Sequence, residues 1–104
     1  MEEIQTAITP DTVFLVEPKG AKFSVGLVTN AGTGYEWKQD LANPNIVKFI
    51  HEKTIPLGTP KPGGQVEYRF DFEALNKGQV ECKFNLTGPD KKIVQTDKFD
   101  FVVT

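Results

Sequence analysis

The chain offers one imidazole, His51, and one thiol, Cys82. A cysteine nucleophile needs a nearby base, and a serine nucleophile needs a histidine oriented by a carboxylate. The spacing of residues sets up neither arrangement. His51 falls inside an extended run, 46–53, between Ile50 and Glu52, where it sits on a strand face. Cys82 alternates with Val80, Phe84 and Leu86, so it belongs to an inward strand face and behaves as a small buried hydrophobe. A single cysteine forms no intrachain disulfide and builds no paired-thiolate metal site. Glu67, Asp71 and Glu73 interleave with Arg69 as a solvated strand face of the kind that discourages edge pairing. Gly63-Gly64 lacks the Gly-Lys-Ser/Thr helix opening of a phosphate loop. An enzyme is not expected, and neither is a cofactor or a metal.

Binding chemistry has a better candidate. Asn30-Ala31-Gly32-Thr33-Gly34-Tyr35 places two glycines around one small β-branched residue, follows them with a large aromatic, and carries no charge. A hairpin needs only two or three residues of turn chemistry. The extra glycine points to a backbone that approaches something closely. A second irregular stretch, 54–64, holds Pro56, Pro60 and Pro62 with Gly58, Gly63 and Gly64. A third, Thr87-Gly88-Pro89-Asp90, runs on to Lys92.

The elements that must position these stretches have a period of two, and no helical stripe of useful length occurs. The predicted strands are 12–17, 22–28, 35–40, 46–53, 65–73, 79–86 and 93–103, with a short edge segment at 4–8. The fifth is the clearest: Val66, Tyr68, Phe70 and Phe72 alternate with Glu67, Arg69, Asp71 and Glu73, which is a half-buried antiparallel strand with one wet face. In the third, Tyr35 and Trp37 share a face and are expected to anchor the base of the glycine-rich loop in the core. About seven short strands with turn signals between them predict an all-β, immunoglobulin-like β-sandwich of antiparallel strands. The 104 residues suit one domain, 1–104, large enough to bury a core without staples.

Strand direction then sorts the connections. Successive strands run in opposite directions, so the connections 29–34, 54–64 and 87–92 emerge at one end. The compact turns 18–21, 41–45 and 74–78 emerge at the other. Irregular, conformationally special sequence gathered at one end of a rigid scaffold is the pattern of a binding edge.

At these residues the chain resembles the chagasin family of cysteine peptidase inhibitors. That family's first loop reads Asn-Pro-Thr-Thr-Gly-Tyr/Phe, with Trp one residue later. This chain matches at Asn30, Thr33, Gly34, Tyr35 and Trp37, and departs at Ala31 and Gly32. The family's second loop carries Gly-x-Gly-Gly; Lys61-Pro62-Gly63-Gly64 keeps the last two glycines. Its third loop carries Arg-Pro-Trp/Phe, and here Thr87-Gly88-Pro89-Asp90 has neither the Arg nor the aromatic. The resemblance covers nearly the whole chain. It implies an immunoglobulin-like fold and reversible, competitive inhibition of papain-like cysteine peptidases, with the three loops entering the active-site cleft as a wedge. The residues so implicated in peptidase binding are Asn30, Ala31, Gly32, Thr33, Gly34, Tyr35, Lys61, Pro62, Gly63, Gly64, Thr87, Gly88, Pro89 and Asp90.

The alternative is an immunoglobulin-like adhesion or carbohydrate-binding module without inhibitory activity; against it, the outer face of the fifth strand is charged and has no aromatic platform. The net charge of −2, from 12 basic and 14 acidic residues, argues against nucleic acid and against an anionic membrane surface. A monomer is expected when no peptidase is bound. The acidic start, Met1-Glu2-Glu3-Ile4, is no signal peptide. The chain as written therefore reads as cytoplasmic, or as endolysosomal or secreted if a leader has been removed.

Overall fold

The computed structural model describes residues 12–30, 32–58 and 64–104. The expected edge segment at 4–8 lies outside them. The described residues form seven strands: β1 (Thr12–Glu17), β2 (Lys22–Asn30), β3 (Glu36–Leu41), β4 (Val47–Pro56), β5 (Gln65–Ala74), β6 (Gly78–Thr87) and β7 (Ile93–Val103). They make a four-stranded sheet in the order β1-β7-β6-β3 and a three-stranded sheet in the order β2-β5-β4. This is the expected all-β sandwich. One pairing differs from an all-antiparallel arrangement: β1 runs parallel to β7. Strict alternation of direction has this consequence, because the first and seventh strands point the same way.

The core lies between the two sheets and is centred on phenylalanine rings. Phe70, Phe72, Phe84 and Phe101 are fully buried, with Val47 and Cys82 beside them. Their rings meet across the sheets: Phe70 and Phe84 have centroids 5.1 Å apart, as do Phe72 and Phe101, while Phe23 stacks on Phe72 at 5.6 Å. Offset and edge contacts of this kind add about 0.5–1.5 kcal/mol beyond the area they bury. The alternation expected of β5 is what places Phe70 and Phe72 at the centre of the three-stranded sheet. On β1 only Leu15 packs against the core; Val13, Phe14 and Val16 are exposed, as expected of a strand at the edge of its sheet.

Three features of the strands bear on the loops. β4 runs on through Pro56, three residues beyond its predicted end, pairing Pro56 with Val66. A proline is tolerated there because β4 is an edge strand and its missing N–H is not needed by a neighbour. β4 also carries a bulge between Phe49 and His51. Phe49 opposes Phe72, and strict alternation would turn His51 to the same inner face. The extra residue turns it to the outer face, opposite Asp71. Finally, Trp37 on β3 is buried at 4% exposure, and its indole Nε1–H donates to the Val28 carbonyl of β2 at 3.1 Å. That bond crosses from one sheet to the other and closes the base of the β2–β3 connection.

Candidate functional site

The strand register brings the three irregular connections together. Asn30 pairs with Gln65, so the start of the β2–β3 connection adjoins the end of the β4–β5 connection. Glu36 pairs with Thr87, so the end of the β2–β3 connection adjoins the start of the β6–β7 connection. The β2–β3 connection is therefore the middle of the three. Alternation of direction predicts that the three share one end; the register sets their order.

Asn30 is the last residue of β2. Its carbonyl accepts a hydrogen bond from the Thr33 hydroxyl at 2.7 Å, which folds the connection back on itself and keeps Gly32, Thr33 and Gly34 exposed as a tip. Gly32 and Gly34 have φ of +77° and +80°, the left-handed conformation that costs other residues about 1–2 kcal/mol. The tip therefore has this shape because its two glycines flank one stiff threonine. Ala31 lies outside the described residues.

Tyr35 differs from expectation. It precedes β3 rather than opening it and is 39% exposed, so it does not share the buried setting of Trp37. Its ring lies over Gly88 instead: a Cβ at Gly88 would stand 3.2 Å from Tyr35 Cε1. Gly88 is buried there and has no side chain to obstruct the ring. The next residue, Pro89, stands against Gly34, where a Cβ would lie 3.1 Å from both Pro89 Cβ and Cγ. The first and third candidate loops are thus in contact through Gly34, Tyr35, Gly88 and Pro89.

The β6–β7 connection is a closed turn. The Lys91 N–H donates to the Gly88 carbonyl at 2.9 Å, the Gly88 N–H donates to the Lys92 carbonyl at 3.0 Å, and the Lys92 N–H donates to Asp90 Oδ1 at 3.2 Å. Lys91 takes φ +68°, completing the turn in the position usually given to glycine. Thr87 ends β6, and its hydroxyl donates to the Glu36 carbonyl at 3.3 Å. Pro89 and Asp90 are exposed. Sequence reasoning missed the left-handed Lys91 and the Gly34–Pro89 contact. Only the turn-forming Gly-Pro-Asp signalled the first, and nothing along the chain signalled the second.

Of the second loop, Lys61, Pro62 and Gly63 lie outside the described residues. Gly64 is half-buried at the entry to β5, and the Leu57 N–H donates to the Gln65 carbonyl at 3.0 Å, closing the base of the connection.

Among the described residues, the remaining chemistry lies elsewhere and does not assemble a nucleophile. On the outer face of the three-stranded sheet, the Ser24 hydroxyl donates to Asp71 Oδ1 at 2.5 Å and His51 Nε2 lies 3.0 Å from Asp71 Oδ2. Serine and histidine share the carboxylate rather than facing each other, so the imidazole is not placed to take the serine proton. The Ser24 hydrogen bond, aided by His51, Lys53 and Arg69, holds the Asp71 carboxyl below its ordinary range against an opposing push from desolvation. Such a carboxylate is a poor base. Cys82 is fully buried, and burial pushes its thiol up to about 12, which leaves it protonated and inert.

A model of the family described as chagasin family peptidase inhibitor I42 matches residues 18–104. The chain belongs to that family. The inhibitor thus acts on papain-like cysteine peptidases and is not itself an enzyme. Among solved structures, it is similar to the cysteine protease inhibitor EhICP2 from Entamoeba histolytica, with a TM-score of 0.76 and 17% identity over 90% of this chain and 88% of that one. It is also similar to amebosin, with a TM-score of 0.59 and 20% identity over 88% of each chain. At those identities the likeness speaks for the fold. No curated protein matches the inhibitor in sequence.

Proposed function

We propose that this inhibitor blocks papain-like peptidases reversibly and competitively by seating its three-loop end in the active-site cleft, with Gly32-Thr33-Gly34 as the inserted tip. The observation that carries this is the tip itself. It is an exposed, uncharged run with left-handed glycines on either side of Thr33, held by the Thr33–Asn30 hydrogen bond and placed between the other two connections.

The chemistry of the target explains why such a tip suits it. A papain-like cleft is narrow and has a thiolate–imidazolium pair at its floor. A blocker must bring backbone close to that pair without offering a carbonyl in attack geometry. Glycine removes Cβ atoms where the walls are near. Thr33 is small enough to lie over the pair, and its hydroxyl is already occupied by the Asn30 carbonyl, so it does not arrive with an unmet donor. Asn30, Tyr35 and Trp37 frame the tip. Lys61, Pro62, Gly63 and Gly64 supply a second contact along the substrate groove, where extended backbone adds strand-like hydrogen bonds. Prolines in that connection limit the conformational freedom lost on binding. Thr87, Gly88, Pro89 and Asp90 complete the end on the other side.

Titration of papain with the purified chain at several substrate concentrations tests this. Inhibition that recedes as substrate rises, with trypsin and subtilisin unaffected, is the expected result. Papain fully active at micromolar inhibitor, or a pattern indifferent to substrate, would overturn it.

A further inference from the structure

The third connection departs from its family's pattern at both contact residues, yet it has kept a compact, closed turn. Its interactions run toward the neighbouring loop. Gly88 is buried beneath the Tyr35 ring, and the Pro89 ring stands so close to Gly34 that a Cβ there would be crowded at 3.1 Å. The turn that carries Pro89 is fixed by the two backbone hydrogen bonds between Gly88 and Lys91–Lys92, and proline fixes its own φ. A rigid surface therefore backs the one residue, Gly34, through which the tip returns to β3.

We infer that Gly88 and Pro89 are positioning residues: they hold the backbone of Gly34, and with it the direction of Gly32-Thr33, instead of forming a third contact with the peptidase. This rests on the function proposed above. Two glycines give the tip more backbone freedom than any other pair of residues would. One hydrogen bond, from Thr33 to Asn30, restrains that freedom within the connection. A tip that occupies many conformers binds with an affinity reduced by the fraction that is competent. Packing Gly34 against Pro89 and Tyr35 against Gly88 raises that fraction before the peptidase is met. Preorganisation of the first loop takes the place of direct contact by the third.

The distinction has a kinetic signature. Loss of a contact is felt mainly in the dissociation rate. Loss of a brace lowers the competent fraction, so it slows association and leaves dissociation nearly unchanged. The side chain of Lys92, exposed on the same turn, matters little under a brace and would matter under a contact.

The experiment uses the full chain as wild type, Pro89→Ala, Gly88→Ala and Lys92→Ala. Each is measured for association and dissociation with papain, for its melting temperature, and for the amide resonances of Gly32, Thr33, Gly34 and Tyr35. Pro89→Ala is expected to shift and mobilise those amides and to slow association about tenfold, the change expected if the competent fraction falls about tenfold, with dissociation and melting nearly unchanged. Gly88→Ala, which displaces the Tyr35 ring, is expected to act in the same direction. Lys92→Ala is expected to stay within about twofold of wild type, as a side chain outside the contact does. Faster dissociation in Pro89→Ala at an unchanged association rate would overturn the inference, and so would a loss in Lys92→Ala as large as that in Pro89→Ala. Should wild type fail to inhibit papain, the proposed function falls, and the brace is decided by the resonances. Amides at 32–35 that move in Pro89→Ala uphold it, and amides that stay in place overturn it.

Discussion

The two ends of the sandwich are held by different forces. At the end formed by the β1–β2, β3–β4 and β5–β6 turns, hydrogen bonds tie distant segments to one another. The Lys19 N–H donates to the Thr104 carbonyl at 3.0 Å, the Gly20 N–H to the Ala74 carbonyl at 2.8 Å, the Leu75 N–H to the Ile46 carbonyl at 2.8 Å, and Asn76 Nδ2 to the Asn45 carbonyl at 2.7 Å. At the other end, bonds such as Thr33 to Asn30 and Lys91 to Gly88 close each connection upon itself. Connection meets connection there mainly by contact of Gly34 and Tyr35 with Pro89 and Gly88, beside a single long hydrogen bond from the Thr87 hydroxyl to the Glu36 carbonyl. Backbone groups committed to stitching segments together have little left to offer a partner, since each donor and acceptor has a fixed capacity. The stitched end stabilises the fold, and the packed end presents backbone.

If that division is right, substitutions at the two ends separate affinity from stability. The largest effect is expected from Thr33→Asp at the tip. A carboxylate carried into a desolvated cleft beside a thiolate is an unpaired buried charge, and inhibition of papain should weaken at least about a hundredfold. The melting temperature should fall by no more than roughly 4–8 °C, because the exposed Thr33–Asn30 hydrogen bond contributes about 1 kcal/mol. Equal collapse of both quantities would make the tip a structural turn. Next is the opposite case, Asn76→Ala at the stitched end. Removing its bond to Asn45 should cost about 1 kcal/mol, roughly 4–8 °C in melting temperature, with the inhibition constant within about twofold of wild type.

A smaller effect, of opposite sign, is expected from Lys91→Gly. It relieves a left-handed residue that costs about 1–2 kcal/mol, offset in part by the greater freedom of glycine in the unfolded chain. Urea midpoints should rise by the equivalent of up to about 1 kcal/mol. No rise would mean that the turn tolerates Lys91 without strain.

The smallest effect belongs to the outer face of the three-stranded sheet, away from both ends. The Asp71 carboxyl lies below its ordinary value of 3.8 in the folded chain, chiefly through Ser24. Its stabilising contribution is therefore full above about pH 4 and is lost as the pH falls through the folded value. Asp71→Asn should be slightly less stable than wild type at pH 7, and the difference should shrink by pH 3. A gap that stays constant across that range would show that the Ser24–Asp71–His51 group contributes nothing dependent on charge.

Much of this was legible along the chain, for a physical reason. A side chain's face is set by local alternation, so Phe70, Phe72, Phe84 and Cys82 announce the core by position alone. Direction alternates with every strand, so the end at which a connection emerges follows from counting. What was not legible depends on how neighbouring connections settle against each other. Tyr35 is placed over Gly88 by the β6–β7 turn, and its spacing from Trp37 carries no trace of that. The left-handed Lys91 follows from closure of the turn, since lysine has no preference for that conformation. The outward His51 follows from one bulge, which reverses every face assignment beyond it.

Hydrogen–deuterium exchange of the chain alone and saturated with papain tests most directly which surface meets the peptidase. Protection is expected in the β2–β3 and β4–β5 connections, with exchange unchanged at 18–21 and 75–77 and along the outer face that holds Ser24, Arg69 and Asp71. Protection confined to that sheet face or to the stitched end, with 30–35 exchanging as freely as in the unbound chain, would contradict the assignment of the binding edge.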